Sequence, residues 1–434
     1  MTKLNPRFLL PVLLLIGFSL LTAQSYQDAL RPFWTLRGFG ASSFSLANSS
    51  EMGRDASTLS LNPANLGSVQ FPSAYMAFQY GLFDQEGQLE SNAQLSQASD
   101  SYFRYDGFGF AYPIPVYQGT FVLGFSYTPT AQYNNVVESE GYADYDTTQY
   151  YLSNKFEESG TMHTLRLGTS IEIRKNLFFG FSLNFYRGER RFSSYAVDTD
   201  TMDAFTYSTY YRDETILPEY GGLNADFGLA YHSQNLRFGL RLSTPVYLSV
   251  REVSQVEETE YYDDGSSYEG EEGFDLEYNL KYPMEIASNI ALHLNGVTLA
   301  FDFTVHDWSG IDFDSNLSDD DNVPIDGPIN HDLGLKLRTT TDIGIGLTLP
   351  IRKSLSTKFG YRLVPRPYYD LPDDEQYIHL MGVGIESKIM DALILGLNYQ
   401  TAMGNRQVFN SYFGTTSHQD FQEDQFTISA AILL

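Results

Sequence analysis

The stretch Leu223-Asn224-Ala225-Asp226-Phe227-Gly228-Leu229-Ala230-Tyr231 alternates without a break: odd positions are apolar or aromatic, even positions are Asn, Asp, Gly and Ala. Successive side chains of a β-strand point to opposite faces, so one face of this strand is oily and the other polar or small. Leu177-Phe178-Phe179-Gly180-Phe181-Ser182-Leu183-Asn184-Phe185 and Leu236-Arg237-Phe238-Gly239-Leu240-Arg241-Leu242 repeat the pattern. From residue 73 onward the chain reads as fourteen such strands, the first at 73–83 and the last at 424–434. They include 236–250, 274–292, 332–349 and 377–387, the last with a bulge expected near Gly382 to bring Ile378 and Leu380 into phase with Val383 and Ile385. Even apolar positions carry the oily face of 274–292 through Tyr282-Pro283.

The connections alternate in length. Tight joints fall at 117–119, 174–176, 233–235, 293–296, 350–354 and 388–391, and seven longer, acidic, Tyr-rich stretches lie between them. Short turns on one rim and long loops on the other are the wiring of an outer-membrane barrel, in which the apolar face meets lipid and the polar face lines the lumen. The expected fold is therefore all-β, a 14-stranded antiparallel transmembrane β-barrel over 73–434. Both strand ends fall on the short-turn side, and alternation continues to Leu434.

The flanks agree. Met1-Thr2-Lys3-Leu4-Asn5-Pro6-Arg7 is followed by an apolar run over 8–21 and by Thr22-Ala23-Gln24. A basic start, a short apolar run and a small residue predict a secretory signal peptide over 1–23. Residues 24–72 do not alternate; they are small, polar and Gly-punctuated, and a barrel this wide has room for them as an N-terminal hatch, or plug, in its lumen.

The 434 residues hold no cysteine, so neither disulfides nor thiol chemistry enter. The net charge of −27 disfavours nucleic acid, whose phosphates need a basic surface. Tyr and Phe, 32 and 31 of them, suit aromatic girdles at the two membrane interfaces. The seven histidines are scattered and neither a Gly-x-Ser-x-Gly elbow nor a His-Glu-x-x-His motif occurs, so no catalytic set, metal site or cofactor is expected.

Strand parity points Arg166, Arg237, Arg241, Lys281, Lys336, Arg338, Lys358 and Arg362 inward. A fatty carboxylate in a low-dielectric bore would seek one or two such bases. Inward Asp226, Asp275, Glu277, Glu285, Asp302 and Asp342 could instead pair with them. The stretch 252–273 carries nine acids and no base, and 308–331 holds Asp319-Asp320-Asp321; both read as a solvated, repulsive surface without the spacing of a Ca²⁺ loop.

Several motifs resemble the FadL/TodX family of outer-membrane transporters of hydrophobic compounds. They are Gly40-Ala41, Asp55-Ala56-Ser57-Thr58 and Asn62-Pro63-Ala64 near the start, then Tyr282-Pro283 followed by Trp308-Ser309, and Gly360 with Pro365. Asn65 and the acidic loops depart from that family's pattern. The resemblance implies passive uptake of long-chain fatty acids or other hydrophobic small molecules through a plugged barrel. It implies a hatch anchored by Asn62, Pro63 and Ala64, and a carboxylate-binding arginine in Arg187-Gly188-Glu189-Arg190-Arg191. It also implies lateral release at an interrupted third strand, here at Pro129. Candidate carboxylate ligands are thus Arg190, Arg187, Arg241, Lys336 and Arg338. The expected partners are a hydrophobic or lipid ligand, outer-membrane lipid, and proteins at the acidic outer loops. The last belong to an alternative: a PorV-like barrel that does not transport and serves protein secretion or surface attachment. A greasy groove over 192–222 and 251–273 would favour transport, and a polar surface there the alternative.

Overall fold

The computed structural model describes residues 30, 32–33, 40–46 and 55–434, apart from 90–94, 146–147, 204, 319–323, 370, 373–375, 391 and 411–414. The expected signal peptide lies outside the described residues, as does much of 24–54.

Fourteen antiparallel strands close into one barrel. They are β1 (Ser73–Leu89), β2 (Leu95–Ile114), β3 (Phe121–Gln132, resuming as Asn135–Tyr145), β4 (Thr148–Arg174), β5 (Leu177–Thr199), β6 (Tyr207–His232) and β7 (Leu236–Ser243, resuming as Val246–Tyr262). Then come β8 (Ser267–Tyr282, resuming as Glu285–Leu294), β9 (Val297–Asp307), β10 (Thr339–Arg352), β11 (Leu355–Pro365), β12 (Tyr377–Met390), β13 (Leu393–Asn410) and β14 (Thr415–Leu433). Each strand pairs with its sequence neighbours, and β1 closes on β14 from Ser73↔Leu433 to Leu89↔Ser417. Closure leaves no sheet edge within the bilayer, which is what allows strands to cross it at all. All six tight joints are found, and Asn295 and Gly296, both at positive φ (52° and 90°), make the kind of two-residue hairpin that asparagine and glycine favour.

The alternation sorts side chains as expected. Along β5, Phe179, Leu183 and Phe185 are exposed outward, while Phe178, Ser182, Asn184 and Tyr186 are buried inward. The outward apolar run 177–185 covers about 30 Å of strand, which tilted by about 40° matches an apolar band roughly 25 Å tall. Arg187, the next outward residue, is exposed and marks the end of the band. Beyond that level the long strands continue as a wall on the long-loop side.

Three expectations need correction. First, 332–349 does not begin as a strand: after the short helix α1 (Gly40–Ser45) a second helix, α2 (Asp326–Lys336), occupies its start, and β10 begins at Thr339. Second, β12 runs without a bulge at Gly382, since its register with β11 is unbroken there. Ile378 and Leu380 point inward instead and pack with Ala402 and Phe421. Third, the oily face of 274–292 changes sides at Pro283. Tyr278, Leu280 and Tyr282 are buried inside, whereas Met284, Ile286 and Ile290 face out. Pro245 does the same in β7, so Val246, Leu248 and Val250 also line the interior. A proline cannot donate to the ladder, and both ladders break at this level, which lets the strands rotate.

Candidate functional site

Residues 55–69 lie on the inner wall of the barrel as two short 3-10 turns, Ala56–Ser60 and Pro63–Ser68. Leu59 and Leu66 are fully buried against Ala111 and Val122 of β2 and β3. The wall is cut away to receive them. A Cβ built on Gly180 would sit 2.2 Å from the Ala64 nitrogen, one on Gly228 2.1 Å from Asn62 Oδ1, and one on Gly168 2.3 Å from Leu59 Cδ1. Glycine is required at these positions because backbone and inner segment touch.

Asn62 and its neighbours are placed by hydrogen bonds. The Asn62 Oδ1 accepts from the Ala64 N–H at 2.9 Å, capping the second turn, while its Nδ2 donates to the carbonyls of Leu240 (3.1 Å) and Leu229 (3.4 Å). Pro63 fills the first position of that turn, where its missing N–H costs nothing. Ser170 Oγ donates to the Ala64 carbonyl at 3.0 Å. Thus Asn62, Pro63 and Ala64 pin the inner segment to β4, β6 and β7.

Above this segment lies a cavity of about 140 Å³, lined by Leu61, Asn62, Thr128, Pro129, Arg166, Asn224, Asp226, Arg241, Glu285, His306 and Arg362, among others. Its charges pair with one another. Arg241 is bonded to Glu285; His306 Nδ1 lies 3.0 Å from Glu285 and its Nε2 3.5 Å from Asp342; Arg362 lies 3.4 Å from Asp342 and donates to Thr304 at 3.3 Å. Arg166 donates to Thr128 Oγ1 at 2.6 Å. Asn184 Nδ2 donates to Asp226 at 2.9 Å. Buried charges persist only when compensated in this way.

Toward the long-loop rim the interior becomes apolar. The inward-turned residues of β7 and β8 join Leu30, Phe33, Tyr186, Trp308, Leu333 and Leu337 in one buried cluster. Phe33 packs edge-on against Tyr282 and Tyr186, at 4.5 and 5.3 Å between ring centres. Trp308 stacks on His306 at 5.2 Å and donates its indole N–H to Thr340 at 2.9 Å, joining the apolar cluster to the polar ring. Helix α2 packs into the cluster through Leu333.

The candidate bases disperse. Of the five candidate carboxylate ligands only Arg241 reaches the cavity, which Arg166 and Arg362 also line, and it is engaged by Glu285 and by the Ser60 carbonyl at 3.5 Å. Arg190 is buried higher up and pairs with Glu158 at 3.1 Å. Arg187 faces outward, Lys336 is exposed on α2, and Arg338 Nε donates to the Arg366 carbonyl at 3.2 Å. Lys281, Asp275 and Glu277 also lie outside: Lys281 rests over the Tyr247 ring, and Asp275 pairs with Arg251 at 2.8 Å. The rotation of β8 at Pro283 places Lys281, Asp275 and Glu277 outside, and the replacement of strand by helix before β10 exposes Lys336. His306 and Trp308 carried no sequence signal beyond the Trp308-Ser309 motif.

Pro129 sits where two irregularities meet. The β2–β3 ladder runs only from Ile114↔Phe121 to Phe108↔Tyr127, and the β3–β4 register shifts between Pro129 and Ala131. Beyond Tyr127 this ladder stops beside the cavity, although β3 continues past the proline and meets β2 again higher up, where the Glu140 N–H donates to Ser96 Oγ at 3.3 Å.

Fold and bore together define a transmembrane β-barrel of the outer-membrane type with a segment of its own chain packed on the inner wall. The sequence model of the BamG family matches residues 51–324, more than half of the chain; the protein belongs to the BamG family. No curated protein matches it. Among solved structures it is similar to a Pseudomonas aeruginosa FadL homologue (12% identity, 91% of this chain and 99% of that one, TM-score 0.62). It is also similar to the P. putida toluene transporter TodX (14%, 92% and 99%, 0.61) and the Ralstonia pickettii toluene transporter TbuX (12%, 92% and 100%, 0.56). The expected FadL/TodX resemblance thus holds for the fold.

Proposed function

We propose that the protein is a passive outer-membrane channel for small hydrophobic molecules, which enter from the long-loop side past the apolar cluster and leave sideways where the β2–β3 ladder ends beside Pro129. The observation that carries this reading is the inward turn of β7 and β8, which packs an oily cluster directly above a cavity that touches the barrel wall. Uncharged ligands suit it better than long-chain fatty acids. A carboxylate would need a base, and two of the three cavity arginines are already matched by acids, Arg241 by Glu285 and Arg362 by Asp342. Segment 55–69 then acts as a fixed floor that turns the path toward the wall. The fold shared with proteins described as toluene transporters is consistent with this class of cargo.

The test is transport into vesicles holding the purified protein, comparing toluene with palmitate, together with mass spectrometry of co-purifying molecules. Faster toluene entry than in protein-free vesicles supports the reading; equal rates remove it. Glu285→Gln, which lowers the negative charge beside Arg241, is expected to raise palmitate binding relative to the parent.

A second reading is favoured by one observation. Segments 192–222 and 251–273 pair as sheet whose outward face is charged, with Asp213 opposite Glu257 and Glu257 opposite Glu271. That polar surface suits the non-transporting, PorV-like alternative, in which the outer wall contacts proteins. Recovery of a stable protein partner with no bound hydrophobic molecule would select it.

A further inference from the structure

The wall above the membrane ends in an open edge. Over Ser267–Tyr282, β8 pairs on one side with β7, from Ser267↔Tyr261 to Tyr282↔Val246. On its other side, among the described residues, only Tyr278–Lys281 finds a partner, the four-residue piece Asp312–Ser315. The stretch 267–277 therefore presents a row of backbone N–H and C=O groups to solvent. Unprotected edges of this length are templates for another strand.

The faces of this edge differ. Odd positions point outward and carry four acids, Glu269, Glu271, Asp275 and Glu277; even positions carry Tyr268, Phe274 and Leu276 with a single acid, Glu272, among them. Acids on an edge strand alone would be ordinary protection against self-pairing. Here they extend inward from the edge. Asp213 of β6 is in register with Glu257 of β7, and Glu257 with Glu271 of β8, so three carboxylates stand side by side across three strands. A neutral amide, Gln255 Nε2, donates to both Glu257 and Glu271, at 3.2 and 3.3 Å. Like charges directly opposite destabilise a sheet, and β6 and β7 are interior strands whose edges need no protection. The nearby base Arg251 is paired with Asp275.

We infer that the 267–277 edge of β8 receives, as an added strand, an extended segment of a partner protein in which basic residues alternate with apolar ones. Its basic face lies over the carboxylate row, its apolar face beside Tyr268, Phe274 and Leu276, and its backbone completes the ladder. The inference is independent of whether the bore conducts, and it gives a site to the protein-contact reading.

The probe is a labelled peptide alternating lysine with valine, long enough to pair with 267–277, added to the full-length protein in nanodiscs. Binding should be saturable and weaken with salt, and hydrogen exchange should slow at 267–277. The combined variant Asp213→Asn, Glu257→Gln, Glu271→Gln, which leaves the edge backbone intact, should weaken binding by about tenfold. The same peptide N-methylated at alternate residues keeps its charge but cannot complete a ladder, and should not bind. Equal binding of the N-methylated peptide, absence of protection at 267–277, or no binding of the parent peptide would each overturn the inference.

Discussion

Asn62 does three jobs with one side chain: its oxygen caps the Ala64 N–H, and its nitrogen donates to the carbonyls of Leu229 and Leu240. Asn62→Asp keeps the cap but loses both donations; Asn62→Ala loses all three. Each is expected to loosen segment 55–69, with Asn62→Ala costing about 1–2 kcal/mol locally and speeding hydrogen exchange at Ala64 by about tenfold or more. Gly228→Val should displace the same segment while the barrel stays closed, because its side chain would occupy the place of Asn62 Oδ1. Beyond the membrane band, burial pushes the Asp198 carboxyl up to about 6 from 3.8, helped by nearby Asp200 and opposed by the hydrogen bond from Tyr207. A folded state that holds this proton more tightly is favoured at low pH and loses that advantage as pH rises from about 4 through about 6. Asp198→Asn should therefore resist proteolysis of the outer wall better than the parent at pH 8, with the two converging near pH 4.

At the scale of elements, the prolines of β7 and β8 decide what the interior holds. The apolar positions keep their even numbering on both sides of Pro245 and Pro283, yet the face they occupy is reversed, so periodicity alone could not reveal the inner apolar cluster. Helix α2 packs into it. Leu333 is fully buried, and Leu333→Ala should cost about 2–4 kcal/mol of local packing. The expected readout is faster hydrogen exchange over 326–336 and greater uptake of an apolar dye, with the β-sheet signal unchanged.

For the molecule as a whole, stability depends on closure. β14 pairs with both β13 and β1 along its length. A chain ending at 423 would leave β1 and β13 with unpaired edges in lipid, where each unsatisfied backbone group is costly. It is expected to yield no detergent-stable barrel, judged by circular dichroism and protease resistance of the membrane fraction.

The fourteen strands, their six tight turns and the lipid-facing side chains were legible in the amino-acid order, because alternation and turn chemistry act between residues a few positions apart. The turn at Asn62-Pro63 was legible from its residue types, though not the glycine bed that receives it. That inward acids such as Glu285 would pair with inward bases such as Arg241 was legible as well; the place of His306 on the same Glu285, the apolar cluster and the open edge of β8 were not. Each depends on strand rotation at two prolines and on which distant strands become neighbours. Those are outcomes of closing the sheet around its contents, and no local pattern of residues encodes them.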